Sequence, residues 1–227
     1  MTYIYEHPRP SLTVDVAIFT IRDKQLNVLL VQRAHSPFQG HWALPGGFVE
    51  MDEPLEHAAA RELEEETGVN NAYLEQLYTY GDPGRDPRGR VVSVAYFALL
   101  PCNSLHQGEA GSDAAQVGWF PVEAVPELAF DHAEILDYAT LRLRYKLQTS
   151  AVGSQLMPDE FTLSELQLTY ETVLGAKQEP RSFQRRMLQA GFIESTMHVR
   201  SGKGRPAKLY RFKPEAVEEV RTRRCFP

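Results

Sequence analysis

GGFVEMDEPLEHAAARELEEETGV, residues Gly46 to Val69, is the stretch on which the reading of this chain turns. Asp52, Glu53 and Pro54 form a helix-opening signal and Gly68 a stop, so a helix is expected over residues 55–67. Glu62, Glu65 and Glu66 then fall at i, i+3 and i+4, which stacks three carboxylates on one face. Like charges at i,i+4 cost an isolated helix roughly 0.2–0.5 kcal/mol, so a purely structural helix gains nothing from them. A divalent cation reverses that sign, and hard carboxylate oxygens suit Mg²⁺ or Mn²⁺. Leu55, Ala59 and Leu63 supply the opposite, apolar face.

The spacing of Gly47, Glu53, Arg61, Glu62, Glu65, Glu66 and Gly68, with Leu63 and Val69 in the aliphatic positions, resembles the Nudix box. With each residue type at a frequency of roughly 0.05–0.1, a chance match at all seven fixed positions is far below about one in a million. The resemblance implies Glu62, Glu65 and Glu66 as metal ligands, the Gly46 carbonyl as a further ligand, Glu53 as a nearby acidic partner, and Arg61 as the group that orients the glutamates. It implies attack of water on a phosphorus of a nucleoside diphosphate joined to another group. Which glutamate acts as general base stays open.

Outward from this segment, alternation and β-branched content mark strands over residues 13–21, 27–33 and 90–99, and a second helix is expected over about residues 131–146. The interleaving gives an α/β fold with a mixed sheet, and the resemblance makes it an α/β/α sandwich. LTVDVAIF, LLVQRAHSPFQGHWALPGGFVE, DPRGRVVSVAYFALL and LAFDHAEIL extend the likeness over most of residues 11–146 to the branch that handles ADP-ribose and related NAD products. ADP-ribose or a close relative is therefore the expected ligand, with Arg85, Arg88, Arg90 and His132 as its contacts. Arginines in so Gly- and Pro-rich a turn are as often solvated as ligand-bound, and a lone histidine is as often structural. Trp42 and Phe48 are available to stack on a base, with core packing as the alternative.

The small, polar, aperiodic run at residues 149–155 reads as a linker, dividing the chain into units at residues 1–150 and 155–227. Charge divides with it: 11 basic against 21 acidic residues up to residue 150, and 13 against 9 beyond. Thr162 with Glu165 forms a capping-box signature for a helix to Gly175, a second helix is expected over residues 181–190, and a hairpin over residues 193–200 and 207–212. KQEPRSFQRRMLQAGFI followed by RSGKGRPAKLYRF is similar to the C-terminal winged helix of the Nudix-related transcriptional regulators of NAD metabolism. That likeness implies a double-stranded DNA operator contacted by Arg181, Arg185, Arg186, Lys203, Arg205 and Lys208, and a two-fold homodimer. A small basic domain serving dimerisation or solubility is the alternative, since basic runs are usually solvated surface. A dual hydrolase and regulator, a metabolic hydrolase, and a ligand sensor that barely hydrolyses all remain open.

At 227 residues, with 43% hydrophobic and 24% charged residues, the chain can bury a sizeable core. It shows no run of roughly 18 apolar residues and no basic-then-apolar start, so no membrane partner is expected and a cytoplasmic location is. Cys102 and Cys225 stand far apart and outside any CxxC pair, which speaks against a disulfide framework or zinc site.

Overall fold

A computed structural model describes residues 6–70, 72–101, 114–201 and 206–222. Its central sheet is built from β1 (Ser11–Arg22), β2 (Gln25–Arg33), β3 (Trp42–Ala43), β4 (Gly46–Phe48), β5 (Tyr73–Tyr80), β6 (Val91–Leu99) and β7 (Ala114–Pro121). Strand β1 runs parallel to β6 and antiparallel to β2 and β4, which makes the sheet mixed, as expected. The period of two along β1 sends Val14, Val16 and Ile18 to one face and Ala17 and Phe19 to the other, all buried.

The first face packs against Ala58, Ala59 and Leu63 of helix α1 (Leu55–Thr67), and the second against Ile135, Leu136, Ala139 and Leu143 of helix α2 (His132–Thr149). The result is the expected α/β/α sandwich. Helix α1 stops at Gly68, whose φ of 68° is a left-handed conformation that glycine adopts without steric cost. Strands β5 and β7 carry too little alternation to be anticipated from the sequence.

Helices α3 (Leu163–Leu174) and α4 (Pro180–Ala190), the hairpin β8 (Ile193–Arg200) with β9 (Ala207–Phe212), and helix α5 (Pro214–Thr222) make up the C-terminal unit. A backbone bridge between Phe161 and Tyr210 adds a third edge to the hairpin, which completes a winged helix. The capping box on α3 is formed as its sequence predicts, with the Thr162 hydroxyl accepting from the Glu165 N–H and the Glu165 carboxylate accepting from the Thr162 N–H.

The segment expected to be a linker is different in kind. Residues Ala151–Gln155 form a short 3₁₀ helix in which Ala151, Val152 and Gly153 are buried. Those residues join Leu147 of α2 to Leu156, Met157 and Phe161 and on to Tyr170, Phe183, Phe212 and Val220, so one apolar core runs from the sheet into the winged helix. The correction has a simple cause: small side chains mark flexible linkers and tight packing joints alike, and only the neighbours distinguish them.

Candidate active site and exposed basic helix

A cavity of about 420 Å³ opens where the strand ends meet the acidic face of α1, the turn at residues 85–88 and the N-terminus of α2. Glu62, Glu65, Glu66 and Arg61 line one wall, Gly46, Gly47 and Phe48 the rim, and Asp15, Arg33, Arg85, Arg88, Phe130 and His132 the remainder.

Arg61 organises the acidic wall. Its Nη2 donates to Glu53 Oε1 at 2.9 Å, its Nη1 to Glu62 Oε1 at 2.7 Å and to Glu65 Oε1 at 3.5 Å, and Nη2 also reaches the Phe48 carbonyl at 3.4 Å. Glu53 is further fixed by the Glu50 N–H at 2.9 Å, and its hydrogen bond from Arg61 holds its carboxyl below the usual carboxylate range. Burial pushes Glu62 the other way, above its ordinary value, with Arg61 only partly offsetting it. Glu62 can sit where it does because residue 47 has no side chain: a Cβ there would lie 2.2 Å from Glu62 Oε1. At Gly46 a Cβ would meet the Val14 carbonyl oxygen at 2.3 Å, so this rim of backbone must be glycine.

Three carboxylates facing one cavity beside this glycine cradle form a donor set of the right hardness for Mg²⁺ or Mn²⁺. Among the described residues, however, no group of three or more His, Cys, Asp or Glu side chains is already drawn together as a metal site. Glu65, with its side chain 54% exposed, is held only by the long 3.5 Å contact to Arg61, whereas the more buried Glu62 is held at 2.7 Å.

The opposite wall is an interlocked set of buried charges. Arg85, whose side chain is only 4% exposed, donates to Asp131 Oδ1 and Oδ2 at 2.6 and 2.8 Å and to Asp15 Oδ2 at 3.4 Å. Ser93 donates to the same Asp15 oxygen. His132 Nδ1 accepts the Leu44 N–H at 2.9 Å, which places the imidazole proton on Nε2, 3.5 Å from Asp15 Oδ1. Burial depresses the His132 pKa despite Asp15 and Asp131 nearby, so the ring stays neutral. Arg88 grips Asp86 at 2.6 Å; burial alone would raise Asp86, but the Arg88 hydrogen bonds win and hold it low. The Arg88 guanidinium also lies 5.3 Å from the Phe48 ring centroid and 5.6 Å from that of Phe130.

Of the four side chains expected to contact ligand, Arg85, Arg88 and His132 thus reach the cavity, the first and last as buried parts of its floor. Arg90 instead turns to the Gly81 carbonyl and is absent from the lining. Trp42 packs edge-on against Phe120 at 4.7 Å, the core use, whereas Phe48 stands half exposed at the rim. The sequence reading passed over Asp15, Arg33 and Phe130; only Asp15 left a signal, as a carboxylate inside the apolar alternation of LTVDVAIF.

In the winged helix, Arg181 and Arg185 project from α4 into solvent. Arg186 turns aside, donating to Gln178 Oε1 at 3.1 Å and lying 5.5 Å over Phe183. Lys208 reaches over the Tyr210 ring at 5.9 Å. Lys203 and Arg205 lie outside the described residues, as do both cysteines.

Fold and site together define a two-part protein: an α/β/α sandwich whose acidic helix borders a cavity of mixed charge, followed by a winged helix with an exposed basic helix. The NUDIX domain family matches residues 11–139, and the NrtR DNA-binding winged helix domain matches residues 153–212. A relative from Acinetobacter baylyi named as an ADPR responsive transcriptional repressor is 43% identical over 211 residues, covering 91% of this chain and 84% of its own. A Methanocaldococcus jannaschii ADP-ribose pyrophosphatase is 40% identical over 136 residues, covering 60% of this chain and 75% of its own. Among solved structures, the crystal structure of Shewanella oneidensis NrtR complexed with a 27mer DNA superimposes with a TM-score of 0.79 at 42% identity, covering 91% of this chain and 95% of that one. The chain belongs to the Nudix hydrolase family, in the group that carries an NrtR-type winged helix.

Proposed function

We propose that this protein is an ADP-ribose-responsive DNA-binding repressor of NAD metabolism whose Nudix domain also hydrolyses ADP-ribose to AMP and ribose 5-phosphate. The observation that carries the reading is the cavity itself, which sets the α1 carboxylates opposite Arg85, Arg88 and Phe48 and is joined by α2 to a winged helix. A diphosphate with a base at one end and a sugar at the other matches such a wall: arginines recognise phosphate, and the Phe48 face is open for stacking.

Glu62, Glu65 and Glu66, with the Gly46 carbonyl, would hold Mg²⁺ or Mn²⁺, which on binding lowers the pKa of water and neutralises charge developing on the diphosphate. The chain's own contribution is positional. Arg61 aims Glu62 and Glu65 into the cavity, Glu53 holds Arg61 in place, and Asp131 with Asp15 fixes Arg85 in the cavity floor. Of Arg85 and Arg88, the latter is better able to meet a phosphate, because its side chain is 42% exposed while that of Arg85 is enclosed by Asp15 and Asp131.

A second reading, a sensor with little turnover, draws support from the carboxylates that are engaged by Arg61 rather than gathered as a metal site. A panel of ADP-ribose, NAD(H), diadenosine polyphosphates and oxidised nucleotides, assayed with Mg²⁺ for released AMP or phosphate, separates the two. The dual reading expects ADP-ribose turnover that is nearly lost in Glu65→Gln and Glu66→Gln; tight ADP-ribose binding without turnover leaves the sensor. The full-length chain is expected to bind duplex DNA in the cytoplasm as a two-fold dimer, since half-site symmetry mirrors protein symmetry. A monomer at micromolar concentration in sedimentation would remove the dimer.

A further inference from the structure

Helix α4 has an unusual outer face for a small basic helix. Phe183 and Met187 are buried against the winged-helix core, and the residues opposite them are Arg181, Arg185 and Leu188 at i, i+4 and i+7. Leu188 is 49% exposed although α4 has a core of its own to fill. Among the described residues, no carboxylate side chain holds Arg181 or Arg185 in an ion pair, in contrast to Arg186, which is drawn back to Gln178 and Phe183. The amide end of α4 is already occupied, because the Glu179 carboxylate accepts from the Arg181 and Ser182 N–H groups at 3.0 and 2.6 Å. The helix therefore presents side chains, not free amides, to whatever it meets. An apolar side chain framed by guanidiniums that form no salt bridge among the described residues is complementary to a surface that is anionic at its edges and carries isolated methyl groups within. The major groove is such a surface, with phosphates along its rims, acceptors on guanine and a 5-methyl on thymine.

We propose that α4 determines operator sequence through Arg185 and Leu188, Arg185 pairing with the O6 and N7 acceptors of a guanine and Leu188 packing on a thymine 5-methyl. The inference rests on the reading that the winged helix binds duplex DNA. Three residues of helix advance about 4.5 Å. Base pairs rise about 3.4 Å, so the two bases lie one or two steps apart in each half-site. Arg181, a turn closer to the helix start, serves the phosphate rim.

The test begins by selecting duplexes from a randomised library with the full-length protein. Within the selected duplex, thymines are replaced singly by uracil, which removes only the methyl, and guanines by 7-deazaguanine, which removes N7. At one thymine per half-site the wild type is expected to lose roughly fourfold in affinity, the worth of one buried methyl-sized group. Leu188→Ala is expected to bind thymine and uracil duplexes alike. At a guanine one or two steps away, 7-deazaguanine is expected to weaken the wild type by about fivefold or more and leave Arg185→Ala indifferent. Leu188→Gln, which keeps the helix and adds polarity at an exposed site, guards against a folding effect in the alanine variant. A selected sequence whose uracil and 7-deazaguanine forms bind the wild type unchanged, or whose methyl dependence survives in both Leu188 variants, overturns this assignment while leaving DNA binding intact. Failure to select any sequence overturns the DNA-binding reading itself.

Discussion

At the scale of single residues, the site depends on what is missing at Gly47 and on which proton His132 lacks. A Cβ at residue 47 would lie 2.2 Å from Glu62 Oε1, so Gly47→Ala must displace that carboxylate. The variant is expected to keep its fold by circular dichroism and to lose most of the ADP-ribose turnover proposed for the wild type; turnover equal to the wild type's would mean that the Glu62 position is immaterial. His132 is depressed by burial, so the unfolded chain takes up a proton that the native chain refuses. Its contribution is fully present above about pH 6.5 and is lost as pH falls through the lower folded value. Thermal melts between about pH 7.5 and 5.5 should therefore fall more steeply for the wild type than for His132→Gln. Parallel curves would place the acid sensitivity elsewhere. The glutamates and Arg61 were legible as a spacing because an α-helix has a fixed period, whereas the buried roles of Arg85 and His132 depend on partners 70 and 88 residues away.

At the scale of elements, the helices that announce their ends are those the sequence reveals. Helix α3 carries its capping box in four consecutive residues, and Thr162→Ala is expected to cost about 1 kcal/mol in urea unfolding. Helix α4 relies on packing instead. Phe183 is 1% exposed and meets Tyr170 edge-on at 5.3 Å, so Phe183→Ala should cost about 3–5 kcal/mol and abolish DNA binding with it. Retention of DNA binding by a destabilised Phe183→Ala would show that α4 is not the DNA-facing element. The turn between these helices is drawn together by Glu171, which accepts from Gln167, Lys177 and the Gln178 N–H; these bonds bring its pKa to about 2. Strand β5 escaped the sequence reading because a register shift between Gln76 and Tyr78 breaks its alternation against β6.

At the scale of the whole molecule, α2 begins at the cavity with His132 and ends at the buried joint with Leu147 and Val152. Its 18 residues span about 27 Å, so a rigid element touches both the ligand wall and the winged helix. The shared core predicts one cooperative calorimetric transition for the full chain, and Val152→Ala should lower it as a unit by about 2 kcal/mol. Two separate transitions, with only one moved by the substitution, would divide the core. With the family resemblances supplying the α/β/α and winged-helix architectures, the sequence by itself determined the acidic helix with its three carboxylates on one face, the α/β class and the basic character of the second unit. Those properties follow from local period, capping and charge, which a chain carries wherever it folds. Only the tertiary structure decided that residues 151–155 are a packed joint, that Arg85 is enclosed by Asp15 and Asp131, and that Arg186 turns away while Leu188 stays exposed. Burial and pairing are properties of neighbours distant in sequence, and no local pattern encodes who those neighbours are.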